Sequence, residues 1–308
     1  MKIKTVALIG AGAVGGYFIW GLMPKLKEDF CVIAKGDRKA RLSRQGLVIN
    51  GEKYFPIVKE PDEAGVVDLI LVASKQDALY EVVEDIKPLI GKNTIVISLL
   101  NGVSSEEIIG ARIGMEHMLY AIMRIASMRD GNSIIFYPEI TKGIYVGEKG
   151  INCPTDRVLA VEALMKDTGI NYNFVEDIVK EMWFKYAGNV SQNLPQAILS
   201  VGYSAYSDSE HVNFVANCLW GEVAKVAAAK GVKIPDELVL FGGSKPEARF
   251  STLQDLDAGR RTEIEIFAGD MIRMGKECGI EVPYCECVYH MIKALEEKNE
   301  GKFKYEVC

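Results

Sequence analysis

The sequence predicts an α/β chain, with a doubly wound sheet at the N-terminus followed by an all-helical C-terminal domain. A glycine-rich turn joins an apolar strand pattern to a helix pattern near the start of the chain. Strand and helix patterns then alternate up to residue 176, which is typical of a mainly parallel sheet covered by helices. After residue 176 only helical periodicity follows. We therefore expect a sheet domain over residues 1–176 and a helical domain over residues 177–308.

The composition is that of an ordinary globular protein with about two domains. The chain has 308 residues, of which 49% are hydrophobic and 25% are charged, and this is enough apolar material for a large core. The formal net charge of −6, together with the lack of a basic stripe, argues against nucleic acid as a partner. Val14–Met23 is apolar but too short to span a membrane, so we expect no membrane partner either.

The cysteines favour a reducing compartment over a disulfide framework. There are seven of them, and the first residues carry no secretory pattern. Cys278, Cys285 and Cys287 lie close together in sequence, but no histidine pair completes a four-ligand zinc site. We therefore expect a cytoplasmic protein that holds no metal.

The glycine-rich turn has the spacing and the surroundings of a dinucleotide site. Lys4–Ile9 is predicted to be a buried strand and Val14–Leu22 the opening of a helix, and the glycines between them follow the G-x-G-x-x-G spacing. Glycine permits a tight turn and the close approach of a diphosphate, while the helix N-terminus offers unpaired N–H groups to the anion. A purely structural turn is the alternative. This Rossmann arrangement gives the cofactor-binding candidates Gly10, Gly12, Ala13, Val14 and Gly15.

The other strands of the first domain are predicted from short apolar runs. Val67–Ala73 is almost continuously apolar, which is typical of a central parallel strand. Leu47–Asn50 and Tyr54–Val58 flank Gly51 and are predicted to form a hairpin. Further strands are predicted at Phe30–Ala34, Thr94–Leu99, Ile134–Tyr137, Gly143–Gly147 and Asn171–Val175, with helices at Lys39–Gln45 and Ala78–Ile90.

Four helices are predicted in the second domain. The first begins at a capping Asp177 and ends near residue 199, and the second covers about 209–230, where apolar residues recur close to every 3.6 positions. The third covers 261–278, and the fourth follows Pro283 and ends near residue 297.

The residues after the second strand favour NADP over NAD. An acidic residue at this place would bind the ribose 2′-hydroxyl of NAD. Instead the strand Cys31–Ala34 is followed by Lys35 and Arg38, which flank Asp37. Cations suit a 2′-phosphate, and we expect Lys35 and Arg38 to contact it. A solvated charged turn is the alternative.

The first predicted helix of the second domain carries a row of polar residues. Lys185, Asn189 and Asn193 recur at steps of four, which places them along one slowly drifting face of an α-helix. Asparagine is a poor residue for a helix interior, and the neighbouring residues are apolar. The row predicts either a functional site or a solvated helix face.

Two further polar segments occupy places where ligands bind or charges are favoured. Asn101-Gly102 follows the strand Thr94–Leu99 at its carboxyl end, where open α/β sheets bind ligands, although Asn-Gly is also typical of a turn. Ser251 opens a polar segment that ends at Glu263, in the first turn of the third predicted helix. A carboxylate there also complements the helix dipole.

Together these residues resemble the ketopantoate reductase family, also called the 2-dehydropantoate 2-reductases. The resemblance covers essentially the whole chain. It rests on five motifs, of which the row beginning at Lys185 and the segment from Ser251 to Glu263 are the most specific. Those motifs are the N-terminal G-x-G-x-x-G, Ala73-Ser74-Lys75, Asn101-Gly102, Lys185-x3-Asn189-x3-Asn193 and the segment from Ser251 through Glu263.

The resemblance implies that the protein reduces the ketone of 2-dehydropantoate with NADPH, giving pantoate for coenzyme A synthesis. Lys185 would be the catalytic acid on the keto oxygen, and Glu263 would bind the forming hydroxyl and the lysine. Asn101 would hold the lysine or the nicotinamide end, and Lys75 would lie beside the cofactor. The implied substrate-binding residues are Asn101, Asn189, Asn193 and Ser251, and both Asn101 and Glu263 are also candidates for contacting the cofactor.

Two departures from the family pattern leave the substrate open. Asn193 is followed by Leu-Pro-Gln-Ala where the family usually has Pro-Leu-Thr-Ala, and an asparagine of some members is absent near Gly202-Tyr203. One alternative is a reductase of a different 2-keto acid, similar to the β-hydroxyacid dehydrogenases. Another is a non-catalytic NADP-binding sensor, although such a protein should have lost Lys185 or Glu263. The apolar faces of the helical domain would suit a homodimer or a core.

Overall fold

The chain divides into two compact units, Met1–Glu181 and Met182–Cys308. The computed structural model describes residues 2–75, 78–241, 245–303 and 305. The first unit contains a largely parallel sheet with helices, and the second is built from helices. The predicted fold class is therefore confirmed. No helix among the described residues combines the length and apolar character that a membrane span needs.

The strands of the first unit form two sheets. The larger has the strand order β12-β11-β8-β7-β6-β1-β2-β5, and the smaller has the order β4-β3-β10-β9. The strands are β1 (Val6–Ile9), β2 (Phe30–Ile33), β3 (Leu47–Ile49), β4 (Glu52–Tyr54), β5 (Ile57–Lys59), β6 (Leu69–Val72), β7 (Ile95–Ser98), β8 (Met118–Arg124), β9 (Ser127–Asp130), β10 (Ser133–Phe136), β11 (Gly143–Gly147) and β12 (Tyr172–Phe174).

The larger sheet is parallel from β5 to β8, and β11 then pairs with β8 in the antiparallel direction. Every residue of β1, β2, β6 and β7 is buried, because helices cover both faces of a doubly wound sheet. The helices of this unit are α1 (Ala13–Leu26), α2 (Gly36–Gln45), α3 (Pro61–Ala64), α4 (Leu79–Ile86), α5 (Ser105–Ile113) and α6 (Asp156–Met165).

The observed strands differ from the predicted arrangement in three respects. Tyr54–Val58 is not the second arm of a hairpin: β4 pairs with β3, while β5 pairs with β2 and extends the larger sheet. The strand predicted at Ile134–Tyr137 is β10 and belongs to the smaller sheet. Strands β8 and β9 were not predicted. The methionines, leucine and alanine of β8 favour helices, and the place of each strand depends on pairing with other strands.

The smaller sheet packs closely against α1. Gly16 lies in α1, and a Cβ atom built there would be 2.5 Å from Cδ1 of Ile134 in β10. Ile134 is fully buried, so this glycine provides the room in which β10 approaches the helix. The sheet is thereby fixed beside the N-terminal half of α1.

The second unit contains helices interrupted by two π-helical segments, Asn189–Asn193 and Glu265–Gly269. The helix predicted over 177–199 is therefore α7, a π-helical segment and α8 in succession, and the helix predicted to begin at 261 begins at 265. The helices are α7 (Ile178–Gly188), which continues from the first unit, α8 (Leu194–Leu199), α9 (Ala205–Asp208), α10 (Glu210–Ala229), α11 (Ser251–Asp257), α12 (Asp270–Cys278) and α13 (Pro283–Asn299).

Aromatic side chains fill the core of the second unit. Trp220 of α10 is fully buried, and its ring contacts those of Phe184 and Phe241 at centroid distances of 5.8 and 6.5 Å. Its indole N–H donates to the carbonyl oxygen of Pro235 at 2.8 Å, so the polar atom is satisfied inside the core. Ser209 caps α10 by accepting from the backbone N–H of Val212.

We predict opposite effects of the same substitution at two helical glycines. Gly16→Ala should lower the free energy of unfolding by about 1 to 3 kcal/mol, because the added methyl group overlaps Ile134. Gly221→Ala, in α10, should raise it by about 0.5 to 1 kcal/mol, since no atom lies within 4 Å of its Cβ position. Denaturant unfolding of both variants measures this, and equal effects would contradict close packing at Gly16.

Candidate functional site

The three glycines of the motif serve different purposes. Gly10 has φ of +97°, and a Cβ atom there would lie 2.4 Å from the backbone oxygen of Ala73. A Cβ atom at Gly15 would lie 1.9 Å from the backbone oxygen of Gly10. At Gly12 the nearest atom is 3.9 Å away, on the guanidinium of Arg129. The first and third glycines are therefore required by packing, whereas the second leaves open space above the turn.

The N-terminus of α1 is suited to an anion. Gly12 is its N-cap, no side chain caps it, and its first turn contains no acidic residue. The N–H of Gly16 donates to the carbonyl of Gly12 at 2.8 Å. The backbone N–H groups of the first turn, which precede Gly16, have no carbonyl partner within the helix. They carry the positive end of the helix dipole. A diphosphate is the ligand that such a turn binds.

A cavity of 620 Å³ opens beside this turn, within the size range of ligand pockets. Its wall includes the glycine turn, the end of β2 and the segment that follows β6. The predicted cofactor residues that line it are Gly10, Gly12, Lys35, Arg38 and Lys75. The structure thus brings these residues to one cavity, and their contacts with a cofactor remain predictions.

Lys35 and Arg38 differ in their surroundings. The Lys35 ammonium contacts Asp85 at 2.7 Å and Glu81 at 3.3 Å, both on α4. The hydrogen bond with Asp85 is the largest cause that raises the pKa of this exposed lysine. Two more arginines, Arg41 and Arg129, line the same cavity and were not predicted.

Asn101 lies just beyond β7, at the carboxyl end of the strand, and is half-buried. A buried hydroxyl network lies next to this turn. Ser98 and Ser105 are 2.7 Å apart at their hydroxyl oxygens, and Ser105 donates to Glu106 at 2.9 Å. The N–H of Leu100 donates to the Ser98 hydroxyl at 3.4 Å. The network therefore ties the backbone beside Asn101 to the start of α5.

Glu106 is a buried acid that was not predicted. It is fully buried, and its Oε1 atom has no hydrogen-bond partner among the described residues. Burial is the main cause that raises its pKa to about 7. The sequence could not reveal this, because acidic residues in the first turn of a helix are normally solvated and complement the helix dipole.

In the second unit, the π-helical segment alters the predicted row of polar residues. Lys185 lies in the last turn of α7 and is half-buried, and Asn189 begins the π-helical segment. A π-turn contains more residues than an α-turn, so positions four apart across it do not stack as predicted for a continuous α-helix. The spacing alone therefore does not place Asn193 on the face that carries Lys185.

Asn193 and Ser251 are brought together, in a direct hydrogen bond. The Asn193 amide donates to the Ser251 hydroxyl at 3.0 Å, and its oxygen accepts from the backbone N–H of Thr252 at 3.0 Å. Asn193 is only 2% exposed, and its oxygen satisfies a backbone N–H group in the first turn of α11. Its amide is thus used within the protein, and contact of Asn193 or Ser251 with a substrate remains a prediction.

Glu263 lies just before the second π-helical segment and is half-buried. Its backbone oxygen accepts from the N–H groups of Ile266 and Phe267 at 3.0 and 3.2 Å. The hydroxyl of Tyr186, the residue after Lys185, donates to the Phe267 carbonyl at 2.6 Å. The end of α7 and the segment that follows Glu263 are therefore joined inside the core.

Two buried glutamines were also missed. The Gln192 amide donates to the Val239 carbonyl and accepts from the N–H of Phe241. Gln196 makes the same pair of bonds with the Ala248 carbonyl and the N–H of Phe250. Both side chains are fully buried. They satisfy backbone groups that lie outside helices and strands, and a glutamine in an apolar sequence carries no sign of this role.

We predict that Glu106 makes unfolding pH-dependent. Its folded pKa of about 7 lies above the unfolded value of 4.5, so its contribution is present at low pH and is lost as the pH rises through 7. Between pH 5 and 8 the wild type should lose roughly 2 to 3 kcal/mol relative to Glu106→Gln. Denaturant unfolding at both pH values measures the difference.

The exposed neighbour Glu107 provides the control for this measurement. Glu107→Gln removes a carboxylate from the same turn of α5 but should retain most of the pH dependence. If Glu106→Gln kept the same pH dependence as the wild type, Glu106 would be ionised in the folded protein throughout this range.

The chain matches two family models and related proteins over nearly all of its length. The model described as ketopantoate reductase PanE/ApbA matches residues 6–150, and its C-terminal counterpart matches residues 177–296. A 2-dehydropantoate 2-reductase of Nostoc sp. is 24% identical, with 97% of both chains covered.

Two solved structures share the fold. A PanE/ApbA family ketopantoate reductase from Ralstonia eutropha has a TM-score of 0.81 and 25% identity, covering 96% of this chain and 99% of that one. A D-mandelate dehydrogenase, determined with NADH and anilino(oxo)acetate, has a TM-score of 0.80 and 23% identity with the same coverage. Both units are thus matched in sequence and in fold, and the chain belongs to the ketopantoate reductase family of nicotinamide-dependent oxidoreductases.

Proposed function

We propose that the protein reduces the ketone of 2-dehydropantoate to pantoate with NADPH, in pantothenate and coenzyme A biosynthesis. The observation that carries this proposal is the presence of Lys185 and Glu263 on joined segments of the helical unit, in a chain whose two units both match the family. Curated relatives that align over most of this chain are named 2-dehydropantoate 2-reductases, which supports the substrate.

The residues of the cavity fit a nicotinamide dinucleotide. Gly12 leaves room for a phosphate, the N-terminus of α1 is uncapped, and cations lie on α2. Lys35 and Arg38 favour a 2′-phosphate and hence NADP(H) over NAD(H). Lys75, in the wall of the same cavity, would lie beside the cofactor. The bound nicotinamide supplies the hydride, and the protein orients the reactants, provides the proton and excludes water.

Lys185 is the proposed proton donor. Its ammonium donates a hydrogen bond to the ketone oxygen and gives up its proton to that oxygen as hydride reaches the carbon. Negative charge develops on the oxygen during this step, so a cation aimed at it stabilises the transition state more than the ground state. The neutral amine is then reprotonated from water for the next turnover.

The other site residues hold the lysine and the substrate. Glu263 is proposed to bind Lys185 and the forming hydroxyl group, and Asn101 to hold the lysine or the nicotinamide end. Asn189 is proposed to contact substrate oxygens directly. Asn193 and Ser251 are proposed to contribute through the Ser251 hydroxyl, which the Asn193 amide orients by its hydrogen bond.

We predict that Lys185→Ala lowers kcat for 2-dehydropantoate by about 10² to 10⁴-fold, because general acid catalysis is lost. The dissociation constant of NADPH should stay within about twofold, since Lys185 is assigned to the substrate. Lys180→Ala is the matched control, because Lys180 is an exposed lysine of the same helix. Steady-state kinetics and calorimetric binding measure both quantities, and an unchanged kcat would remove Lys185 from the reaction.

A different 2-keto acid is the second candidate substrate, and two observations in the second unit favour it. Gln196 stands where the family usually has threonine. Its side-chain amide is hydrogen-bonded to the backbone of Ala248 and Phe250. Tyr203 stands near the place of the missing asparagine, and its buried hydroxyl has no hydrogen-bond partner among the described residues. The D-mandelate dehydrogenase of the same fold shows that this architecture also serves an aromatic 2-hydroxy acid.

We predict that kcat/KM for 2-dehydropantoate exceeds that for phenylglyoxylate by about 10-fold or more, because pocket contacts discriminate at this level. Parallel NADPH-oxidation assays with both acids measure the ratio. A larger value for phenylglyoxylate would support the second candidate. No turnover of any 2-keto acid, with NADPH still bound, would instead support a sensor.

A further inference from the structure

Three arginines from two separate elements belong to the cavity beside the glycine turn. Arg38 and Arg41 lie on α2, and Arg129 lies on β9 of the smaller sheet. All three line the cavity that contains the glycine turn. The two elements are distant in sequence, so the fold assembles this positive charge at one place.

Packing of the smaller sheet sets the position of Arg129. Arg129 is paired with Ile134 in the β9–β10 register, and Ile134 is seated against Gly16 of α1. The Arg129 Nε atom donates to the carbonyl of Gly131 at 3.0 Å, which leaves its two terminal nitrogens without a partner among the described residues. One of them, Nη1, lies 3.9 Å from the Cβ position of Gly12. The guanidinium is therefore held over the cofactor turn.

The charges of this cluster are not balanced by the described part of the protein. The described residues form no ion pair with Arg38, Arg41 or Arg129. Arg129 is an exposed residue, but partial burial of its guanidinium lowers its pKa, and the positive charges of Arg41 and Arg38 lower it further. Gathering like charges is unfavourable unless an anion joins them. Lys35 differs, because Asp85 and Glu81 already neutralise it.

We propose that Arg129 and Arg41, together with Arg38, bind the 2′-phosphate of the adenosine ribose and so determine the preference for NADPH. Arg38 and Arg41 follow β2, the strand whose end faces this ribose in dinucleotide-binding sheets, whereas the pyrophosphate binds at the N-terminus of α1. Guanidinium groups bind phosphate with paired hydrogen bonds. Lys35, which the sequence predicts as a direct contact of this phosphate, is here assigned an indirect role: its ammonium neutralises the two carboxylates on α4 that would otherwise repel the phosphate.

This inference rests on the proposed dinucleotide site, and binding measurements test it without any substrate. Calorimetry of Arg129→Gln and Arg41→Gln should show NADPH and adenosine 2′,5′-bisphosphate each bound about 10 to 100-fold more weakly. NADH and 5′-AMP, which lack the 2′-phosphate, should change by less than about twofold. Arg44→Gln, an exposed arginine of α2 outside the cavity, is the control and should bind all four as the wild type does.

Two results would overturn the inference, provided that circular dichroism shows the variants folded. Equal weakening of NADH and NADPH would place Arg129 on the pyrophosphate, and unchanged binding of NADPH by both variants would remove these arginines from the site. The outcome is separate from the proposed reaction. If the wild type binds NADPH but fails to reduce 2-dehydropantoate, the proposed reaction is contradicted. The arginine variants then still determine which residues bind the 2′-phosphate.

Discussion

The close approach of backbone to backbone at the end of β1 is the constraint on which the cofactor site depends. Gly10 passes over the carbonyl of Ala73 at the end of β6, and Gly15 lies against the carbonyl of Gly10, at distances that exclude any Cβ atom. Only this compression lets α1 begin directly beyond the strand, with its N–H groups directed toward the turn. Gly12 is the exception, because its Cβ position has no atom closer than 3.9 Å and leaves open space above the same turn.

Electrostatics around the turn follows from how separate elements converge on it. An uncapped helix N-terminus supplies partial positive charge, and full charges come from α2 and from β9. The smaller sheet contains no residue of the glycine motif, but its strand β9 places Arg129 in the wall of the cavity. Its approach depends on Gly16, a fourth glycine outside the motif. Packing and charge are thus coupled in this unit: a change in α1 that displaces β10 also displaces a cation.

Features that depend on neighbouring residues could be predicted from the sequence. The glycine turn, the buried runs of the sheet and the long helix α10 follow from local spacing and apolar periodicity. Features that depend on distant residues could not. Arg129 lies at the cavity because its strand partner Ile134 packs against α1. Asn193, which bonds to Ser251, ends a π-helical segment that no periodicity indicates. The roles predicted for Lys185 and Glu263 come from the resemblance, because spacing alone left a solvated helix face and a helix-dipole contact as alternatives.

Three buried amide side chains organise part of the second unit. The amides of Gln192, Asn193 and Gln196 are buried. The two glutamines bind backbone groups of Val239, Phe241, Ala248 and Phe250, and Asn193 binds the Ser251 hydroxyl and the Thr252 N–H at the start of α11. Breaking such a bond leaves a buried polar group unsatisfied, so the backbone conformation at these contacts is tied to the three amide side chains. Lys185 lies one turn earlier, on regular helix. Substitutions of the three amides can therefore alter the backbone at these contacts while Lys185 keeps its own backbone position.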